Sequence, residues 1–218
     1  MKPIFDHNGL VSWDAEEVAT RRMVVDYFVR NIKEALLSTN HGWRFAECET
    51  PILMPVAAIS SAYSLDDYYT VMDGLALRPE TTYGSYEVAR QMLEKSGRLP
   101  LCVYQSGKSF RREQDKALSN MRLKEFYQLE FQCIYNITTK NDYQVAMMPK
   151  LQAIFERLIG NCSIIESDRL PVYSLKTIDI DRGGMELASI SLRTDFSEDT
   201  RVLEIAIGLD RVVSKHVN

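Results

Sequence analysis

Residues Gln105 to Tyr135 read QSGKSFRREQDKALSNMRLKEFYQLEFQCIY, two strand-like runs joined by a polar loop. In the return run, alternation with period two separates the side chains onto two faces. Leu123, Tyr127, Leu129, Phe131, Cys133 and Tyr135 share one face, with Glu125 out of character among them, and that face suits a core. The other face carries Arg122, Lys124, Phe126, Gln128, Glu130 and Gln132. A charged surface around one aromatic ring is an odd decoration for plain solvent. The incoming run adds Arg111 and Glu113 on a face of its own. Guanidinium forks take phosphate oxygens, an aromatic ring stacks on a base, and carboxylates accept from amines, so this hairpin has the side chains to hold a nucleotide.

Working outward, Asp14 to Leu37 has helical spacing of Val18, Met23, Val25, Phe28, Val29, Ile32, Ala35 and Leu36, with His41-Gly42 punctuating its end. Arg44 to Glu49 reads as a strand, and Pro51 through Pro55 with the Ala/Ser-rich stretch after it as irregular connection. Thr81 opens a helix toward Lys95 that exits at Gly97 and Pro100. A further helix spans Val145 to Ile159, and strands are expected at Tyr173–Ile180, Met185–Leu192 and Val202–Ile207. In the last of these, Glu204, Ala206 and Gly208 share one face and Leu203, Ile205 and Ile207 the other. Small residues beside one carboxylate leave room for a ligand to approach the backbone.

The 218 residues suffice for one domain with a proper core. At 45% hydrophobic and 26% charged the chain has globular composition, and its net charge of −4 weighs against tight nonspecific nucleic-acid binding. Cys48, Cys102, Cys133 and Cys162 lack zinc-ligand spacing, which suggests a reduced, cytoplasmic protein. The N-terminus has no signal-peptide apolar run, no transmembrane stretch is visible, and His7, His41 and His216 are scattered as surface residues would be.

The Gln105–Tyr135 segment resembles motif 2 of the class II aminoacyl-tRNA synthetases, and most of all the glycyl enzymes. Phe110-Arg111-Arg112-Glu113 and Arg122-Leu123-Lys124-Glu125-Phe126, with Glu130 four residues on, carry the likeness. Leu77-Arg78-Pro79-Glu80-Thr81 resembles the family's LRPET signature. Gly184 to Ile190 with Arg193-Thr194-Asp195-Phe196 resembles the glycyl-type strand before motif 3, and Glu204 to Arg211 resembles motif 3 itself. Phe45 to Pro55 fits motif 1. The resemblance implies an α+β fold, a mainly antiparallel sheet flanked by helices, in a single catalytic domain over 1–218. Motif 1 would lie at about 14–55, motif 2 at about 104–135 and motif 3 at about 202–216, with no anticodon-binding domain.

It also implies amino-acid activation, in which a carboxylate attacks the α-phosphorus of ATP and pyrophosphate leaves. Positioning and charge neutralisation carry such transfers. By resemblance Arg111 and Arg211 are catalytic: Arg111 holds the α-phosphate and the attacking carboxylate, while Arg122 and Arg211 clamp the β/γ end. Phe126 stacks on adenine, Glu125 reads its amino group, and Glu113 completes the ATP set. Mg2+ would bridge the phosphates, with Glu186 as a ligand; its parity opposes Ser189, Ser191 and Arg193, so that it needs a bulge or has another role. Glu80, Glu130 and Glu204, with Arg193, surround the ammonium group of a small amino acid, expected to be glycine. Motif 3 reads Glu204-Ile205-Ala206 where the glycyl pattern has Glu-Pro-Ser. A homodimer built on motif 1 is expected. The acceptor stays open between tRNA, charged without anticodon recognition, and a carrier protein or small nucleophile. A third class, a noncatalytic accessory subunit like that of a mitochondrial DNA polymerase, has no need for the retained Arg111, Phe126 and Arg211.

Overall fold

The computed structural model describes residues 4–5 (backbone alone), 9–60, 62–112, 121–140, 142–167 and 170–216. In chain order the elements are β1 (Ile4–Phe5), β2 (Val11–Ser12), α1 (Ala15–Thr39), β3 (Arg44–Glu47), β4 (Leu53–Pro55), α2 (Val56–Ile59), β5 (Leu75–Leu77) and α3 (Thr82–Ser96). There follow β6 (Leu101–Phe110), β7 (Glu125–Asn136), α4 (Tyr143–Ile159), β8 (Ser163–Glu166), β9 (Ser174–Asp181), β10 (Glu186–Arg193), β11 (Thr200–Gly208) and α5 (Leu209–His216).

Seven strands form one sheet in the order β3-β6-β7-β11-β10-β9-β8, antiparallel throughout except for the parallel β3–β6 pair. The α+β class read from the sequence is the one found. Alternation gives this sheet two distinct faces. On one, Leu129, Phe131, Cys133, Ile190, Leu203, Ile205 and Ile207 are buried beneath α1, α4 and α5 in the main core. On the other, the register aligns Gln105, Glu130, Ala206, Ser189 and Asp179 across five strands, and Gln132, Glu204, Ser191 and Thr177 in the next row. This polar face is not solvated: Gln128, Glu130, Gln132 and Glu204 are buried. The odd decoration of the hairpin therefore belongs to an interior. Toward one end of that face α3 lays Tyr86 and Ala89 against Leu101, Val103 and Val202 in a second small core.

Helix α1 starts with a reciprocal cap: the Glu17 N–H donates to the Asp14 carboxylate at 2.9 Å, and the Asp14 N–H donates to Glu17 at 2.8 Å. Val24, Phe28, Ile32 and Leu36 recur every fourth residue and are fully buried. Met23, expected on this stripe, is 59% exposed, and Val24 takes the inward place. The stretch expected to be irregular after Pro51 contains β4 and the single-turn α2, because Leu53–Pro55 pairs with β5 in a separate two-stranded sheet. The edge strand β8 carried no sequence signal, since all four of its side chains are exposed.

The incoming strand of the hairpin begins earlier than Gln105 and ends at Phe110, so Arg111 sits just past the strand, its N–H bonded to the Lys124 carbonyl at 3.0 Å. Cys102 and Cys133, remote in sequence, are register partners with sulfurs 3.1 Å apart. Among the described residues no helix is long and apolar enough to cross a membrane.

Phe28 is wholly buried with its ring 4.7 Å from that of Phe155. Phe28→Ala is predicted to cost about 3–5 kcal/mol, read as a lowered urea midpoint with little change in slope.

Candidate active site

The polar face of the sheet opens into a cavity of about 910 Å3, lined by residues of β7, β9, β10, β11 and the loops around them. Its inner end is a carboxylate cluster held by one guanidinium. Arg193, 2% exposed, places Nη1 2.7 Å from Glu204 Oε2 and 3.6 Å from Glu80 Oε1. Its other edge meets Asp195 through Nη2 at 2.6 Å and Nε at 3.1 Å, and its plane lies 3.8 Å from the centre of the Tyr173 ring. Glu204 also accepts from Thr82 Oγ1 at 3.0 Å and Gln132 Nε2 at 2.9 Å. Glu130 accepts from the Thr81 N–H at 3.1 Å, the Thr81 hydroxyl and the Thr82 hydroxyl. Glu80 accepts from the Tyr63 hydroxyl at 2.5 Å. The structure thus brings Glu80, Glu130, Glu204 and Arg193 together, as the sequence reading grouped them. Burial, and then the charges of Glu204 and Glu80, push the Glu130 carboxyl up to about 8.

The local sequence explains how Glu80 reaches this cluster. Arg78 is buried, donating from Nε to the Lys108 carbonyl at 2.8 Å and from Nη1 to the Thr50 carbonyl at 2.8 Å. These bonds tie the turn before α3 onto β6, and only a glycine permits it: a Cβ at Gly107 would lie 2.4 Å from Arg78 Nη2. Gln105 adds a bond from Nε2 to the Thr81 carbonyl at 3.0 Å.

Toward the mouth, Arg111 donates from Nε to the Pro79 carbonyl at 3.0 Å and from Nη2 to the Tyr63 hydroxyl at 3.3 Å, with its guanidinium 5.4 Å from the Phe126 ring centre. Arg122, Phe126 and Arg211 line the same cavity. Arg211 Nη1 donates to the Glu186 carbonyl at 2.8 Å and stands 3.6 Å from its carboxylate. The bulge that Glu186 needs is present: the β9–β10 register shifts between Glu186 and Ala188, and Glu186 lines the cavity beside Ser189 and Ser191. Glu186 fits a magnesium site of the usual kind, one carboxylate completed by substrate phosphates and water. Among the described residues no group of three or more His, Cys, Asp or Glu side chains is placed to hold a metal by itself.

One expected grouping is corrected. Glu125 and Phe126 are neighbours on a strand and so occupy opposite faces. Phe126 lines the cavity, while Glu125 is outside its lining and forms an ion pair with Lys108. Glu113 lies outside the described residues. Sequence reasoning missed Tyr63, Tyr173 and Asp210, all of which line the cavity. Tyr63 stands alone in a loop and carries no pattern; Tyr173 heads the expected strand Tyr173–Ile180 on the parity of Thr177 and Asp179, and Asp210 adjoins the arginine at the strand-to-helix junction, so these two had a signal.

A profile of the tRNA synthetase class II core domain (G, H, P, S and T) matches residues 64–213. The chain belongs to this family. It is 33% identical over 156 residues to the glycine–tRNA ligase of Mycoplasma capricolum subsp. capricolum, covering 65% of this chain and 33% of that protein. It is 28% identical over 172 residues to the glycine–tRNA ligase of Mycoplasmopsis synoviae, covering 63% and 38%. The chain therefore spans about a third of the length of the curated relatives it matches. A crystal structure of prolyl-tRNA synthetase from Cryptosporidium parvum, complexed with halofuginone and AMPPNP, shares the fold at a TM-score of 0.78 and 14% identity, over 98% of this chain and 48% of that one. The Desulfitobacterium hafniense pyrrolysyl-tRNA synthetase PylSc shares it at 0.62 and 19%, over 87% and 65%.

Gly107→Ala is predicted to displace Arg78 and destabilise the protein by about 2 kcal/mol, measured by denaturant unfolding. The raised Glu130 carboxyl has its own signature. The folded state holds a proton that the unfolded chain, near 4.5, releases first, so stability falls as pH rises from about 4.5 to about 8. Melting temperature scanned over that window should fall more steeply for the native protein than for Glu130→Gln.

Proposed function

We propose that this chain activates glycine with ATP, forming glycyl-adenylate, and transfers the glycyl group to tRNA. The observation that carries the reading is the convergence of Glu80, Glu130 and Glu204 at the closed end of a cavity whose outer part holds Arg111, Arg122, Phe126 and Arg211. A negative, walled recess suits a substrate whose handle is an ammonium group, and the arginines beyond it suit phosphates. The relatives are glycine–tRNA ligases by name, which favours glycine as the substrate and tRNA as the acceptor.

In this mechanism the ammonium group sits among Glu80, Glu130 and Glu204, with Arg193 offsetting the repulsion between Glu80 and Glu204 and a proton on Glu130 relieving the rest. The glycine carboxylate then points toward Arg111, which also takes the α-phosphate. Phe126 stacks on the base, and Arg122 and Arg211 take the β- and γ-phosphates. Glu186 would hold magnesium, which supplies further neutralisation of phosphate charge when bound. Glu125 is given no part, since it faces away. Tyr63 bonds to both Glu80 and Arg111, and so stands between the ammonium end and the phosphate end. The assembly is read as a two-fold dimer: Ile52, Leu53, Val71 and Met72 expose apolar surface around the β4–β5 hairpin.

ATP–pyrophosphate exchange across the twenty amino acids, with and without tRNA, tests the reading. Glycine should drive exchange best, with alanine or serine the nearest intruders because Ala206 leaves space where the family has serine. Strongest exchange with histidine, proline or threonine would sink the glycyl assignment. Arg111→Ala should lower the rate a hundredfold or more, roughly 3 kcal/mol of lost stabilisation at the reacting phosphorus. Glu204→Gln should raise the glycine KM about tenfold or more while the ATP KM stays within about twofold.

A further inference from the structure

We infer that Asp210 is a positioning residue that fixes the spacing between the base-stacking ring and the phosphate-binding arginine. The inference rests on the nucleotide reading of the cavity given above. The β7–β11 ladder ends at the Gln128–Gly208 pair, where the chain turns from strand into α5. Tyr127 lies one residue past that end, and its N–H has no strand left to meet. Asp210 Oδ2 accepts it at 2.7 Å, so a side chain from α5 continues the ladder by one bond. That N–H belongs to the peptide group joining Phe126 to Tyr127. Asp210 itself is bonded in sequence to Arg211. One hydrogen bond therefore spans the two subsites: on one side the backbone that aims the Phe126 ring, on the other the residue before the arginine.

The acceptor is a buried carboxylate, 3% exposed, and its Oδ1 has no hydrogen-bond partner among the described residues. An apolar residue there would avoid the desolvation cost of a buried charge. The cations facing it are Arg21 from α1, Lys108 from β6 and Arg211 from α5 itself. The charge is thus set between the elements that must keep their relative places when a nucleotide binds.

The test pairs binding with kinetics. The full chain and its Asp210→Ala and Asp210→Asn variants are titrated with a nonhydrolysable ATP analogue by calorimetry, and exchange is measured against ATP and glycine separately. Asp210→Ala should weaken analogue binding and raise the ATP KM at least tenfold, with the glycine KM within about twofold. Asp210→Asn keeps an acceptor for the Tyr127 N–H and should recover binding to within about threefold. If Asp210→Ala does not fold, Asp210→Glu, which pushes the acceptor out by one methylene, must show the same ATP-selective defect. Equal analogue affinity in the native protein and in the folded variant overturns the role of Asp210 alone. So does a fall in melting temperature with both KM values unmoved. No analogue binding by the native protein overturns the nucleotide reading, and this inference with it.

Discussion

The cavity exists because β7 and β11 pair in one register. Their alternation puts Leu129, Phe131, Leu203 and Ile205 under the helices, and by the same step puts Glu130 and Glu204 on the opposite side. A slip of one residue would exchange the two sets, sending carboxylates into the apolar core and aromatic rings into the cavity. The main core therefore does more than stabilise the sheet. Burial of the apolar set, at about 1.5–3 kcal/mol for each large side chain, is what fixes where the polar set must go. Neighbouring strands extend the constraint, so that side chains from five strands meet on one surface.

Collecting carboxylates on that surface has an electrostatic cost, and the structure meets it in two ways. Arg193 is a shared counter-ion, reaching Glu204, Glu80 and Asp195 at once. Where that charge does not suffice, a proton takes over, because burial and the neighbouring carboxylates push the Glu130 carboxyl up to about 8. Hydroxyls and amides of Thr81, Thr82 and Gln132 donate to Oε2 of Glu130 and Glu204. A carboxylate group arranged so closely can receive a cation without moving, since the groups around it are already committed. Such preorganisation is what a positioning mechanism requires.

Much of this was legible in the sequence, and the failures have physical reasons. The hairpin was readable because a strand buried on both faces, one face apolar and one polar, still shows period two. Its polar face looked like misplaced solvent decoration only because the carboxylates find partners from Arg193 and α3, far away in sequence. The role given to Glu125 went against the same alternation that identified the hairpin, and Phe126 won the inward place. Conversely, parity applied to β10 left Glu186 either a bulge or another role, and a register shift is there. Strand β8, with no buried side chain, gave nothing to detect. Tyr63 lies in a connection, where no periodicity assigns a direction, and Tyr173, expected to open a strand, stands one residue before β9.

The bulge in β10 has a consequence of its own. In a regular strand every side chain on a face is tied to every other, so any change of twist or pitch that re-aims one re-aims them all. The extra residue between Glu186 and Ala188 breaks that rigid linkage. Ser189 and Ser191 follow the pleat of the sheet up to a second shift between Leu192 and Arg193, while Glu186 and the Arg211 that bonds to it answer to the local bend. One strand thus presents two separately aimed groups of side chains to the same cavity.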